Sequence, residues 1–333
     1  MKNKRPTLRD VAREAHVSYQ TVSRVINNDS HVSDATRDRV MQAINMLGFR
    51  PNRAAQILQT ERSHTIEAVI FYGGFNRFLG EMAHTAHQLG YHFSISAISE
   101  DEFISSLESA SSRFVDGLLL IPMVHLDESY EDLQRLTEGI PLVQIGAELG
   151  ANIPSVIYAQ AAGARLATQH LIDLGHRQIA EISGPLLNYD GRDRHHGWAA
   201  TLRDNGLEVG QSVEGDFSLE GGYRAMNQLL DGGEPFTGVF IANDTMAFGA
   251  NTALRERGCR VPEDISIVAF DDIPEAAHFV PALTTVRQDF NLLGKLSVEY
   301  VVNLIENPQT PVQQIVLHPK LIVRESTAPP DGN

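Results

Sequence analysis

The chain has 333 residues, 42% of them hydrophobic, a formal net charge of −15 and a single cysteine, Cys259. That length allows more than one domain. One cysteine excludes an intrachain disulfide framework and offers no metal cluster, and no apolar run is long enough for a membrane span or a secretion signal, so a reducing cytoplasm is expected. The charge is uneven. Through Arg62 eleven Lys/Arg stand against six Asp/Glu, a balance of +5, and the remainder carries −20. A basic head on an acidic body leaves the head as the surface that meets phosphate, because the body repels it.

The first elements build that head. Thr7 with Asp10 three residues on has the form of a capping box, and Leu8, Val11, Ala12 and Ala15 make the buried stripe of a first helix. His16-Val17 makes a tight turn. In the run from Tyr19 to Asn27, Val22, Val25 and Ile26 recur at helical spacing and pack inward. Tyr19, Gln20, Ser23, Arg24 and Asn27 project from the other side. Amide and guanidinium groups match adenine and guanine edges with paired hydrogen bonds, so this outer face suits base reading. Ser33 opens a third helix with Val40, Ile44 and Leu47 as its apolar positions. Three short helices on one core make a minimal helix-turn-helix domain over residues 1–50. Thr7, Leu8, Thr21, His31, Ser33 and Thr36 complete the expected DNA-facing set. Gly48-Phe49-Arg50-Pro51-Asn52 breaks the third helix, and 51–62 is a hinge or linker. Its stretch 53–60 is helix-compatible but too short to stand alone in water.

From Thr65 short apolar runs alternate with amphipathic stretches. Strands are predicted at 68–71, 93–97, 117–121 and 142–145, then at 179–182, 238–241 and 265–270. Helices are predicted near 77–89, 102–113, 161–174, 192–205, 220–230, 244–257 and 290–305. This alternation gives an α/β body of parallel sheets flanked by helices, and two series imply two lobes. The expected first lobe is about 63–158 plus 289–317, and the second about 159–288 plus 318–328. A ligand would sit in the crevice at the carboxyl ends of the strands. Polar and aromatic residues follow strand ends at 184–194, Asp216-Phe217, Asn243-Asp244, Asp271-Asp272 and Gln288-Asp289. Carboxylates, amides, a guanidinium and a flat ring together suit a sugar. Taken singly, Asp244 and Asp272 read as helix caps, and Arg194 as either a surface ion-pair partner or a cleft residue.

These motifs resemble the LacI/GalR family of bacterial transcription regulators. The head run Tyr19-Gln20-Thr21-Val22-Ser23-Arg24-Val25 carries the resemblance, as does Gly184-Pro185-Leu186 followed by a loop, Arg and Gly197-Trp198. The resemblance implies that Tyr19, Gln20 and Arg24 face base edges. It also implies a hinge helix that orders on DNA, with Asn52, Ala55, Gln56 and Leu58 in its pattern and Leu58 as a minor-groove wedge. His16 stands where the family has a turn Gly. In the two-lobed, periplasmic-binding-protein-like core, the resemblance places Asn188, Arg192, Asn243, Asp271 and Gln288 around an effector. Phe217 stacks on it, and Leu283-Thr284-Thr285-Val286 crosses between lobes. The 71–78 stretch is shorter than in the family and brings its own aromatics, Tyr72, Phe75 and Phe78, to the first-lobe side.

The implied function is repression of a sugar-utilisation operon. A homodimer would leave its palindromic double-stranded operator when a small sugar, galactoside-like, binds between the lobes. The alternative in the same fold is a co-repressor response to a purine or other metabolite. Prolines and polar residues from Arg324 to Pro330 form no C-terminal coil, so a dimer is expected and not a tetramer. A bacterial cytoplasmic, nucleoid-associated location follows, with no membrane partner. A transporter's solute-binding protein would need export and no DNA head. An enzyme reading finds neither a Gly-x-Gly-x-x-Gly after the first strand nor a P-loop, so no cofactor is expected. His195 and His196 are adjacent on a predicted helix and diverge, against a metal role.

Overall fold

The computed structural model describes residues 6–26, 31–49, 62–71, 77–122 and 128–330. The chain forms two compact units, the head through Ser63 and a body from His64. Asn27, Asn52, Ala55, Gln56, Leu58, Tyr72 and Phe75, and with them the hinge-helix reading, lie outside the described residues.

In the head, α1 (Leu8–Glu14), α2 (Tyr19–Ile26) and α3 (Asp34–Leu47) enclose a core of Val11, Ala12, Ala15, Val22, Val25, Val40, Ala43 and Phe49. Thr7 and Asp10 make the reciprocal capping box that satisfies two first-turn N–H groups. His16 takes the turn at φ 53°, the left-handed conformation that usually calls for glycine. Gly48 ends α3 at φ 60°. Arg37 of α3 donates to the Val25 carbonyl at 3.5 Å, placing a cation at the carbonyl end of α2.

Among the described residues the body holds two six-stranded sheets. In the first, β1 (Thr65–Phe71), β2 (His92–Ile98), β3 (Gly117–Ile121), β4 (Leu142–Ile145), β5 (Ser155–Tyr158) and β11 (Gln314–Leu317) run parallel in the order β11-β5-β4-β3-β1-β2. In the second, β6 (Ile179–Ser183), β7 (Ser212–Glu214), β8 (Gly238–Ile241), β9 (Ser266–Asp271), β10 (Thr284–Arg287) and β12 (Lys320–Ile322) take the order β12-β10-β9-β8-β6-β7, with β12 antiparallel.

Helices cover both faces of each sheet, which is why most inner strands are apolar throughout. The first lobe packs α4 (Leu79–Gln88) and α11 (Phe290–Glu306) on one face, and α5 (Phe103–Glu108) and α6 (Tyr130–Leu136) on the other. The second packs α7 (Gln160–Asp173) and α8 (Tyr189–Asp204) against one face, and α9 (Leu219–Asp231) and α10 (Asp244–Glu256) against the other. The chain passes between sheets after β5, after β10 and between β11 and β12. Thr284-Thr285-Val286 is thus strand β10, hydrogen-bonded beside β9, and the crossing falls after it at Gln288-Asp289. Helix α6 and strands β5, β7, β10, β11 and β12 have no counterpart among the predicted helices and strands, although strand ends were expected before Asp216 and Gln288.

Candidate functional site

On the head, Tyr19 (46% exposed), Gln20 and Arg24 are exposed on α2, while Val22 and Val25 of the same helix are buried. The Ser18 hydroxyl accepts the Thr21 N–H at 3.1 Å and lies 2.8 Å from the Thr21 hydroxyl, fixing the first turn of that helix. Ser23 is half-buried, Leu8 packs against the head core, and His31 is exposed. The Ser33 and Thr36 hydroxyls lie 3.0 Å apart at the start of α3. The Thr7 hydroxyl is committed to Asp10.

In the body a cavity of about 540 Å³ opens between the carboxyl ends of the two sheets. Among the described residues its two walls differ. The first lobe supplies Phe78, Ile121, Ile145, Val156, Phe290 and Leu293; the second supplies Asn188, Asp190, Arg194, Asp216, Phe217, Asn243 and Asp271. Gln160 and Gln288 lie on the crossings and also line it. Asp271 ends β9 at φ 108° and Asp272 follows at φ 56°. Such strain in non-glycine residues persists where the surroundings hold it, often at binding sites.

Arg194 is the guanidinium of the cavity. It is 3% exposed and lies over the Phe270 ring at 4.0 Å. Its Nε donates to Gln160 Oε1 at 3.0 Å and its Nη1 to the Ala242 carbonyl at 2.5 Å. Asp271 stands 3.6 Å from Nη1 and Asp190 3.5 Å from Nη2. Arg192, expected to hold the effector, does not line the cavity; its guanidinium lies 5.5 Å over the Tyr189 ring and 3.4 Å from Asp193. The reason is helical phase. Two residues turn a helix by about 200°, so Arg192 and Arg194 leave α8 on opposite sides.

The other expected residues are brought together. The Asn188 carboxamide oxygen caps α8, accepting from Asp190 N and Gly191 N at 2.8 and 3.2 Å. Asn243 caps α10 by accepting from Met246 N at 2.9 Å, and its amide donates to the Phe217 carbonyl at 3.0 Å. That contact holds Phe217 at φ 63°. Asp244 and Asp272 do not cap. Buried Asp244 accepts from Ile273 N and the Thr285 hydroxyl, while Asp272 pairs with Arg287 and Arg324. Gln160 and Thr245 line the cavity without having been singled out in the sequence, and Tyr189 and Asp190 line it from within the 184–194 stretch. Arg77 of the first lobe reaches Glu275 of the second at 3.3 Å.

Burial pushes the Asp271 carboxyl up to about 6; Arg194 and the Gln288 amide pull it down, and Asp190 pushes it up. Burial also raises Asp190, opposed by Arg194 and a hydrogen bond from Gln160. Asp244 is raised by burial and then by the Asp271 charge. One guanidinium already stands between two carboxylates.

Residues 7–52 match the bacterial regulatory proteins of the lacI family, and residues 168–327 match a periplasmic binding protein-like domain. The chain is 34% identical over 331 residues to the lactose operon repressor of Escherichia coli strain K12, spanning 98% of this chain and 91% of that one. The chain belongs to the lacI family. It is also 37% identical over 346 residues to the HTH-type transcriptional regulator CelR of Thermobifida fusca, covering 98% and 99%. A crystal structure of the lac repressor dimer bound to operator and the anti-inducer ONPF matches with a TM-score of 0.89 at 34% identity, over 98% of this chain and 100% of that one. This family member is therefore a DNA-binding transcriptional repressor and not an enzyme. Among the described residues, no helix is long and apolar enough to cross a membrane.

Proposed function

We propose that this repressor acts as a homodimer on a palindromic operator of a sugar-utilisation operon and is released by a small neutral sugar, galactoside-like, in the cleft. The observation that carries the reading is the unequal pair of cavity walls. A sugar has hydroxyls to bond and C–H faces to cover. The second lobe offers Asp271, Asp190, Asn243 and Arg194 to the hydroxyls, with Phe217 beside them, and the first lobe an apolar cover headed by Phe78 and Phe290. Asn188 and Gln288 complete the contact set, and Arg194 takes the role expected of Arg192. Because the Arg194 charge is already met by two carboxylates, a sugar phosphate is disfavoured against its neutral parent. Release requires the sugar to bind the DNA-free state more tightly than the operator-bound one. Fluorescence anisotropy of labelled operator DNA, titrated with protein across a panel of mono- and disaccharides, tests this. A purine that strengthens operator binding, or no sugar that weakens it, would overturn it.

On the head, Tyr19, Gln20 and Arg24 read bases, while Thr7, Leu8, Thr21, Ser23, His31, Ser33 and Thr36 contact or orient the backbone. Gln20→Ala should weaken binding to the preferred operator by roughly 1–3 kcal/mol and relax preference at one or two positions. Equal weakening on preferred and random DNA would assign Gln20 to phosphate contact.

Sugar affinity should depend on pH through Asp271. Sugar hydroxyls donate to the ionised carboxylate, so bound sugar lowers its pKa, and affinity should fall as pH drops through 6, by up to about tenfold per unit. For folding the sign is opposite: a raised carboxyl pKa favours the fold at low pH, and that contribution is lost as pH rises toward 6. Asp190, Asp244, Arg194 and Arg77 surround the group. Calorimetric titration of wild type and Asp271→Asn between pH 5 and 7.5 checks this; the variant should be weak and nearly flat.

A further inference from the structure

The strongest unassigned feature is a run of three hydrogen bonds, closed into a loop by one ion-pair contact, that passes from the ligand cavity into the hinge between the lobes. Arg194 Nε donates to Gln160 Oε1 at 3.0 Å, Gln160 Nε2 donates to Gln288 Oε1 at 3.1 Å, and Gln288 Nε2 donates to Asp271 Oδ1 at 2.8 Å. The Asp271 oxygen returns to Arg194 Nη1 at 3.6 Å. Both amides are buried, at 8% and 5% exposure.

Their places in the chain give the loop its meaning. Gln160 opens α7 two residues after β5 ends, where the chain passes from the first sheet to the second. Gln288 follows β10, where it passes back. The Tyr158 hydroxyl laces the same two crossings, accepting from Asp289 N at 2.6 Å and meeting the Asp289 carbonyl at 3.0 Å. A change in lobe angle is absorbed by a few dihedrals in such crossings. Gln160 and Gln288 must then shift relative to one another, and the shift reaches Arg194 and Asp271 directly. A ligand that takes bonds from Arg194 and Asp271 pulls on the same loop from the other end.

We propose that Gln160 is a positioning residue that couples cleft occupancy to the hinge, by holding Arg194 through its carbonyl and Gln288 through its amide. This rests on the sugar-release reading above. Its consequence concerns coupling and not grip alone. A residue that only oriented Arg194 would lower sugar affinity equally in free and operator-bound protein. A coupling residue changes their ratio, which for allosteric proteins is about 5–150-fold.

The test measures the affinities of lactose, cellobiose and galactose by calorimetry for the full-length dimer, free and saturated with operator DNA. It compares wild type, Gln160→Ala, Gln160→Met and Asn188→Ala. Wild type should bind at least one sugar more weakly on operator, by about fivefold or more. Gln160→Ala and Gln160→Met should bring that ratio to within about twofold of one while weakening sugar in the free protein; methionine keeps the side-chain length should alanine fail to fold. Asn188→Ala should weaken both affinities and keep the ratio. An unchanged ratio in the Gln160 variants would overturn the coupling role and leave sugar release intact. If no sugar binds wild type, both the release reading and this proposal fall.

Discussion

Arg194→Ala is expected to abolish the response of operator binding to sugar while leaving operator affinity close to that of wild type. The side chain is the lining cation between two carboxylates, and three separate losses follow its removal. Asp271 and Asp190 lose the charge that holds their pKa values down, so Asp271 rises beyond about 6 and is less ionised at pH 7. The Gln160 carbonyl and the Ala242 carbonyl lose the donor that satisfies them in a buried setting. The face of Phe270 loses its stacked guanidinium. Breaking a buried pair by deleting one partner costs about 3–5 kcal/mol, of which even the lower figure is roughly a hundredfold or more in sugar affinity if it falls on binding. The thermal midpoint should fall too, since part of the cost is already present without ligand. Arg192→Ala is the informative partner experiment. Its guanidinium lies outside the cavity against Tyr189 and Asp193, so sugar affinity should stay within about twofold. If the two variants behave alike, the cavity as described does not bind the sugar.

That two-residue distinction also marks where the sequence stopped being legible. The family resemblance places Arg192 at the effector, with Arg194 two residues on in the same predicted helix. In the structure Asn188 caps α8 and the helix starts at Tyr189, so Asp190, Arg194 and Trp198 fall at four-residue intervals on one side and Arg192 on the other. The turn of about 200° between the two arginines, and not the residue at which the helix starts, decides which one meets the ligand. Gln160 was missed for a related reason: in Gln-Ala-Ala-Gly-Ala it reads as an ordinary helix start, and its partners lie 34 and 128 residues away. Asp244 and Asp272 show the opposite failure, because local pattern offers caps where tertiary partners at Thr285, Arg287 and Arg324 take the carboxylates. What was legible rests on short-range physics. Strands 117–121 and 238–241 are continuous apolar runs, 142–145 is apolar but for Gln144, the Thr7 box needs only Asp10, and the positive φ at His16 follows from the turn.

The second large effect is expected at Gly184, and it separates ring placement from hydrogen bonding. Phe217 lies directly on this glycine: a Cβ there would stand 2.3 Å from Cζ and 2.4 Å from Cε1 of the ring. The ring has little room to yield locally, because Phe217 is held at φ 63° with its carbonyl bonded to Asn243 and its side chain packed on the second-lobe core. Gly184→Ala should therefore drive the ring toward the cavity, with an overpacking cost of about 1–3 kcal/mol and a lower thermal midpoint. Sugar affinity should fall roughly tenfold or more as the misplaced ring fills part of the space beside Arg194 and Asp271. Phe217→Ala alone should also lose sugar affinity, by removing the stacking face. The double variant distinguishes mechanism from general damage. With the ring gone the alanine methyl has room, so stability should recover toward that of Phe217→Ala, and the two substitutions should be strongly non-additive in both stability and sugar affinity. Additive losses in the double-mutant cycle would show that Gly184 acts through another contact, such as the Gly191 backbone 3.2 Å from the same Cβ position, and an unchanged sugar affinity in Phe217→Ala would remove Phe217 from the cleft's binding surface.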